Sequence, residues 1–165
     1  MEKIRLLFVC LGNICRSPAA ESVMRRLVED KGLSYLFYIN SAGIGAWHTG
    51  QLPDKRMRVQ GAARGYVFDH RAQQVRREDF LRYDYLIGMD EENIYDLRRL
   101  AGNKDQAEKI LCLADYLRKY AGEPTIPDPY YGGTKDFVWA LDLIEDACQG
   151  LLEKLTDENQ CHPFP

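Results

Sequence analysis

Hydrophobic positions along this chain switch between two spacings, and the switches mark its elements. Ile4 to Val9 is apolar except for Arg5, the pattern of a strand buried on both faces of a parallel sheet. Ala20, Val23, Met24, Leu27 and Val28 then recur at helical spacing until Lys31-Gly32 stops them, which predicts an amphipathic helix with Ser17 as N-cap and Pro18 at its first position. Tyr35 to Ile39 reads as a second strand and completes a β-α-β unit. A glycine-containing loop, Ser41 to Pro53, leads to a weaker helix that Pro53-Asp54 opens and that runs through Met57, Val59 and Ala62-Ala63 to an end near Gly65. Tyr66 to Val75 carries no period and is expected to be loop. One helical turn over Arg77 to Arg82 precedes a third strand, Tyr85 to Met89. Asp90 then caps a helix through Ile94, Leu97 and Leu100, and Lys109 to Leu113 is a fourth strand. Asp115 to Gly133, rich in Gly, Pro and Tyr, is expected to be irregular. Phe137, Ala140-Leu141, Ile144, Ala147-Cys148, Leu151-Leu152 and Leu155 trace one wide apolar stripe on a final helix.

Strands that alternate with helices predict a single α/β domain: a four-stranded parallel sheet with helices on both faces. The domain is expected over residues 1–157, with 158–165 a flexible tail. At 165 residues, 45% hydrophobic and 28% charged, the composition is that of an ordinary globular protein. The net charge of −3 supplies no global field for nucleic acid or anionic membrane. Arg25-Arg26, Arg76-Arg77 and Arg98-Arg99 each sit in mixed-charge helical patterns and read as solvated faces. No run approaches the roughly 18 apolar residues of a membrane span, and Leu6 to Gly12 is too short and too soon broken for a signal peptide. Five cysteines, an odd number in a chain that needs no staples, suit reduced thiols. A cytoplasmic monomer is expected, with no nucleic-acid or membrane partner.

The chemistry begins where the first strand ends. Cys10, five spacer residues and Arg16 occupy the strand-to-helix turn Val9-Cys10-Leu11-Gly12-Asn13-Ile14-Cys15-Arg16-Ser17-Pro18. Such a turn aims consecutive N–H groups and a helix N-terminus into one concavity, a cradle for a tetrahedral oxyanion with the Cys10 sulfur at its floor. In parallel sheets ligands bind beyond the carboxyl ends of the strands, where Cys10 lies. The thiolate is the reactive form, and the N–H groups, Arg16 and a Ser17 hydroxyl all favour the anion. Arg16 suits a bidentate grip on two phosphate oxygens. Gly12 permits close backbone approach or a positive φ, and Asn13 tolerates the left-handed region. Leaving-group protonation needs an acid, and Asp128, in Asp128-Pro129-Tyr130-Tyr131-Gly132-Gly133, is the candidate. Spacing alone does not single it out.

These residues together resemble the low-molecular-weight protein tyrosine phosphatases over nearly the whole chain. The resemblance rests on VCLGNICRSP at Val9 to Pro18, Ala-Glu in the next helix, Ser41-Ala42-Gly43, Trp47, Pro53-Asp54, the H-x-A-x-Q segment at His70, Gly88-Met89-Asp90 and Asp-Pro-Tyr-Tyr at Asp128. It implies hydrolysis of phosphotyrosine, and of small aryl phosphates, through a cysteinyl-phosphate intermediate. Cys10 would be the nucleophile, Asp128 the acid and then the base. Arg16 and the N–H groups of Leu11, Gly12, Asn13, Ile14, Cys15 and Arg16 would hold the equatorial oxygens. The family uses Asn13, Ser17, Ser41 and His70 as loop support; read alone, Ser41 and His70 are only polar loop residues. Leu11, Trp47, Tyr130 and Tyr131 would rim an aromatic slot that fits a phenyl phosphate better than a short phosphoserine.

No cofactor is implied, and no Cys/His spacing suggests a metal. The expected partners are phosphotyrosine-containing proteins, with phosphate or other oxyanions on the Cys10 loop. Sister activities are disfavoured at one position: arsenate reductases of this likeness usually carry Ser, and arginine phosphatases Thr, where this chain has Ile14. A binding module without turnover is disfavoured by intact Cys10, Arg16 and Asp128. Gln73 stands where relatives often have Arg. The resemblance also favours a redox role: peroxide would oxidise Cys10, and Cys15 would capture it as a disulfide.

Overall fold

A computed structural model describes residues 2–160. Its four strands, β1 (Ile4–Cys10), β2 (Phe37–Gly43), β3 (Tyr85–Gly88) and β4 (Ile110–Cys112), form one parallel sheet in the order β2-β1-β3-β4. β1 is central, and its side chains alternate between two cores. Leu6 and Phe8 enter the larger one, with α1 (Arg16–Asp30), α6 (Thr134–Gln160) and Met57 of α2 (Lys55–Ala63). Leu7 and Val9 enter the smaller one, with Phe80 of α3 (Asp79–Arg82) and Leu97 of α4 (Glu91–Leu100). Helices therefore cover both faces, as expected of a parallel sheet.

Where the boundaries differ from the sequence reading, local chemistry explains the shift. Ser34–Leu36 is a 3₁₀ turn, so β2 starts two residues later than expected and runs on through Ser41 to Gly43. Asp54 and Asp90 cap α2 and α4, accepting the N–H of Arg56 and Asn93 at 2.8 Å each. A short α5 (Lys104–Ala107), capped by Asn103, was not anticipated, because four polar residues carry no hydrophobic period. The predicted cap at Ser17 is corrected. Helix α1 already begins at Arg16, with Cys15 at the cap position and no side-chain cap bond, and Ser17 lies inside its first turn. Helix α6 continues through Gln160, three residues into the stretch expected to be tail; the rest of that tail, with Cys161, lies outside the described residues.

Candidate active site

The turn after β1 is inverted by its own hydrogen bonds. The carbonyls of Cys10 and Leu11 accept N–H groups from Ile44 and Gly45, both at 2.9 Å, and Ile14 O accepts the Asp54 N–H at 2.7 Å. With the carbonyls tied outward, the N–H groups of Leu11 through Arg16 find no partner among the described residues. Asn13 makes the inversion possible, with φ at +59°. Gly12 was expected to take that role or a close approach; its φ is not positive, and its bare Cα lies against His48. The glycine that the loop does require is Gly43, where a Cβ would stand 2.9 Å from Asn13 N and Gly12 C.

Asn13 is fully buried and anchors the loop with both ends of its amide. Nδ2 donates to Ser17 Oγ at 2.8 Å and to Ser41 Oγ at 3.0 Å. Oδ1 must then accept, from the Gln73 N–H at 3.0 Å and from His70 Nε2 at 2.9 Å. Ser41 passes its own hydrogen on to Glu21 Oε1 at 2.8 Å, while Ser17 Oγ lies 3.0 Å from Cys10 Sγ and 3.3 Å from Ala42 O, and can donate to either. His70 Nδ1 stands 3.1 Å from Glu21 Oε1 and bonds it only when the ring carries both protons, because Nε2 already holds one. Burial draws the His70 imidazole below its ordinary value, with the Glu21 carboxylate opposing. Glu21 and the Gln73 backbone were not foreseen as site residues. Glu21 was read only as a family letter in the helix after the loop, and a backbone donor leaves no mark on composition.

Arg16 is 1% exposed, and its guanidinium joins three elements. Nη1 donates to Asp90 Oδ2 at 2.6 Å and to Ile126 O at 2.9 Å, while Nη2 lies 3.6 Å from Asp128 Oδ2. Burial works against its charge, but Cys10, Asp90 and Asp128 outweigh burial and hold it above the ordinary arginine value. Arg16 Nε is buried and has no hydrogen-bond partner among the described residues. Asp90, expected only as a helix cap, thus does two jobs, one oxygen on Asn93 and the other on Arg16. Asp128 reaches the site from the long loop, where Ile126 N–H bonds to Met89 O at 2.9 Å.

Cys10, Arg16 and Asp128 line one cleft of about 320 Å³. Ile14 and Cys15 line it from the loop, both under a tenth exposed, and burial pushes the Cys15 thiol up, well above its ordinary value. The rim is Leu11, Trp47, Tyr130 and Tyr131, with the two tyrosine rings edge-to-face at 5.0 Å. Trp47 is 68% exposed and leans over Gly45. His48 also lines the cleft, its Nδ1 on Gln51 Oε1 at 3.0 Å; its position beside Trp47 was the only signal for it.

Two comparisons decide what kind of cleft this is. Residues 5–161 match the family model described as low molecular weight phosphotyrosine protein phosphatase. The low-molecular-weight protein-tyrosine-phosphatase of Streptomyces coelicolor is 43% identical over 93% of this chain and 94% of its own. The chain belongs to the low-molecular-weight phosphotyrosine protein phosphatases. A protein tyrosine phosphatase from Entamoeba histolytica, solved with Hepes in the active site, superposes with a TM-score of 0.91 at 41% identity, covering 95% of this chain and 99% of that one. The Drosophila arginine phosphatase shares the fold at a TM-score of 0.85 and 31% identity, covering 92% and 98%. A phosphatase of this fold can therefore act on different phosphorylated residues, and the cleft must choose between them.

Proposed function

We propose that this phosphatase hydrolyses phosphotyrosine in proteins, and small aryl phosphates, with Cys10, Arg16 and Asp128 as its catalytic residues. The observation that carries this reading is the orphaned, buried Arg16 Nε beside a loop whose N–H groups, Leu11 to Arg16, have no partner among the described residues: a donor set with no acceptor of its own suits an oxyanion. Hepes, present in the active site of the Entamoeba relative, bears a sulfonate, an oxyanion of the same shape.

In the first step the Cys10 thiolate attacks phosphorus in line. The S–P bond forms, the P–O(aryl) bond breaks, and Asp128 gives its proton to the departing phenol oxygen. The Tyr130 N–H donates to Asp128 Oδ1 at 3.1 Å, so that proton rides on Oδ2, the oxygen nearer Arg16. In the second step Asp128 takes a proton from water as its oxygen attacks phosphorus. The S–P bond breaks, and phosphate leaves the thiolate behind. Arg16 and the loop N–H groups hold the equatorial oxygens throughout, and the Asn13 circuit keeps the Ser17 hydroxyl beside the sulfur.

Ile14 supports an aryl substrate. Its apolar side chain offers the N–H groups of a phosphoguanidinium no acceptor, while it packs against a ring without loss. The partners are phosphotyrosyl proteins met by a cytoplasmic monomer, and no helix among the described residues is long and apolar enough to cross a membrane. Peroxide would oxidise Cys10 to a sulfenic acid; the Cys15 thiol would displace water from it as a disulfide, closing the site until a thiol reduces it. Mass spectrometry of peroxide-treated protein should find the Cys10–Cys15 peptide, and its absence would end that part of the reading.

The main test is kinetic. Cys10→Ser and Arg16→Ala should abolish turnover of a phosphotyrosyl peptide. Asp128→Ala should lose about 10²–10⁴-fold while still forming the phospho-enzyme. Wild-type turnover in Cys10→Ser, or a preference for a phosphoarginyl peptide, would refute the proposal.

A further inference from the structure

Asp128 is held at both carboxylate oxygens, and the Arg16 side accounts for only one of them. Oδ1 accepts the Tyr130 N–H, and the carbonyl of that same residue accepts Nη2–H of Arg56 at 2.9 Å. Arg56 is the second residue of α2 and is absent from the lining of the cleft. Its side chain is about half exposed, and its guanidinium is held along one edge and one face. Asp54 takes Nε at 3.0 Å and Nη2 at 2.9 Å, and holds the backbone N–H as well. The fork lies 4.6 Å over the ring of Phe137, a fully buried residue of α6, and 5.5 Å from the ring of Tyr130. Asp54 in turn donates its own N–H to Ile14 O, in the phosphate loop, at 2.7 Å. One unbroken chain of bonds therefore runs from Ile14 through Asp54, Arg56 and Tyr130 to the carboxylate of Asp128.

We propose that Arg56 is a positioning residue for the general acid. It carries the position of the phosphate loop, by way of Asp54, to the backbone of Tyr130, and so sets where Asp128 Oδ2 meets the leaving oxygen. The inference rests on the reading of Asp128 as the acid. Only arginine fits the place. Nη2 has one hydrogen for Asp54 and one for Tyr130 O, Nε completes the fork, and the flat face packs on Phe137. An ammonium offers a point charge without that plane.

The brace acts at one moment of the reaction, which makes it separable from a role in folding. An acid displaced by a fraction of an ångström matters to a phenol that must be protonated as it leaves. It matters little to p-nitrophenolate, which departs as a stable anion. The quantity to measure is kcat/KM, which covers every step through departure of the phenol, for phenyl phosphate and p-nitrophenyl phosphate on the same sample. The ratio of the two cancels the fraction of folded enzyme, so a variant that merely destabilises α2 leaves it unmoved.

Arg56→Lys and Arg56→Met should lower the phenyl to p-nitrophenyl ratio about tenfold. Asp128→Asn should lower it further, by about 10²-fold. In the double variant Arg56→Met/Asp128→Asn the ratio should fall no lower than in Asp128→Asn alone, because the brace works only through the acid. If Asp128→Asn lowers the ratio and Arg56→Met leaves it at the wild-type value, the positioning role is wrong and the acid stands. A further drop in the double variant would equally overturn it. If Asp128→Asn leaves the ratio unchanged, the acid assignment fails first and takes this proposal with it.

Discussion

Replacing Asn13 separates the two things its residue type supplies, a tolerated positive φ and a four-bonded amide. Asn13→Ala loses both, and Asn13→Gly loses only the amide. Without the side chain, Ser17 Oγ still has Ala42 O and Cys10 Sγ, and Ser41 Oγ still has Glu21. His70 Nε2 and the Gln73 N–H have no second acceptor in reach among the described residues. Two donors left buried at about 1–3 kcal/mol each, offset where water enters the vacated space, place the common cost at about 2–4 kcal/mol. Alanine held at a φ of +59° adds about 1–2 kcal/mol that glycine does not incur. Urea unfolding should therefore rank wild type above Asn13→Gly, and Asn13→Gly above Asn13→Ala by about 1–2 kcal/mol. Phosphate affinity, read by competitive inhibition of p-nitrophenyl phosphate turnover, should weaken in both, since neither retains the bonds that hold the loop. Equal stability of the two variants would show that the backbone at residue 13 carries no strain. Wild-type phosphate affinity in both would refute the view that this circuit shapes the cradle.

Three further perturbations follow from the same geometry. Gly43→Ala puts a Cβ 2.9 Å from two backbone atoms of the loop, so it should fold yet lose about 10²-fold in kcat/KM; full activity would mean that the loop has slack there. Asp90→Asn should keep the α4 cap while losing the Arg16 ion pair, and should lower kcat/KM about tenfold; Asp90→Ala should cost about 1 kcal/mol more stability in urea, and equal stability would deny the capping role. Asp146 accepts the N–H groups of Arg118, Lys119 and Tyr120; burial opposes them, but the three donors win and hold its carboxyl below the ordinary value of 3.8. The folded pKa is the lower one, so this stability is present above about pH 4 and is lost as pH falls through the folded value. The stability advantage of wild type over Asp146→Asn, about 1 kcal/mol near pH 6, should shrink toward zero in acid, and a pH-independent difference would contradict it.

How much was legible in the sequence depended on whether a residue acts through its type or through its partner. Cys10, Arg16 and the order of elements could be read, because a strand, a turn and an apolar helical period are local. Asp54 and Asp90 could be read as caps for the same reason. Ser17 was legible as a site residue but misread as a cap: serine before proline is the pattern of a helix start, and only the three-dimensional turn shows its hydroxyl on the Cys10 sulfur. Glu21, Gln73 and Arg56 were illegible in these roles. One is a charged residue on an otherwise ordinary helix, one acts through its backbone, and one bonds to a carbonyl 74 positions away. Asp128 lay between these cases: its type suits an acid, but only the family resemblance chose it from the other loop carboxylates.

The two circuits divide the chemistry between them. The Asn13 circuit ends on the Cys10 sulfur, the proposed nucleophile; the Arg56 chain ends on Asp128 Oδ1, in the proposed acid. They meet at the phosphate loop, and Arg16 spans the gap between their ends, bonded on one side to Ile126 and Asp90 and facing Asp128 on the other. A phosphate bound at Arg16 Nε and Nη2 would share Nη2 with Asp128, one hydrogen facing each. The Tyr130 N–H on Oδ1 is untouched by this sharing. The proposed acid therefore has two separate supports, a charge partner that the substrate shares and a backbone partner that the substrate leaves alone.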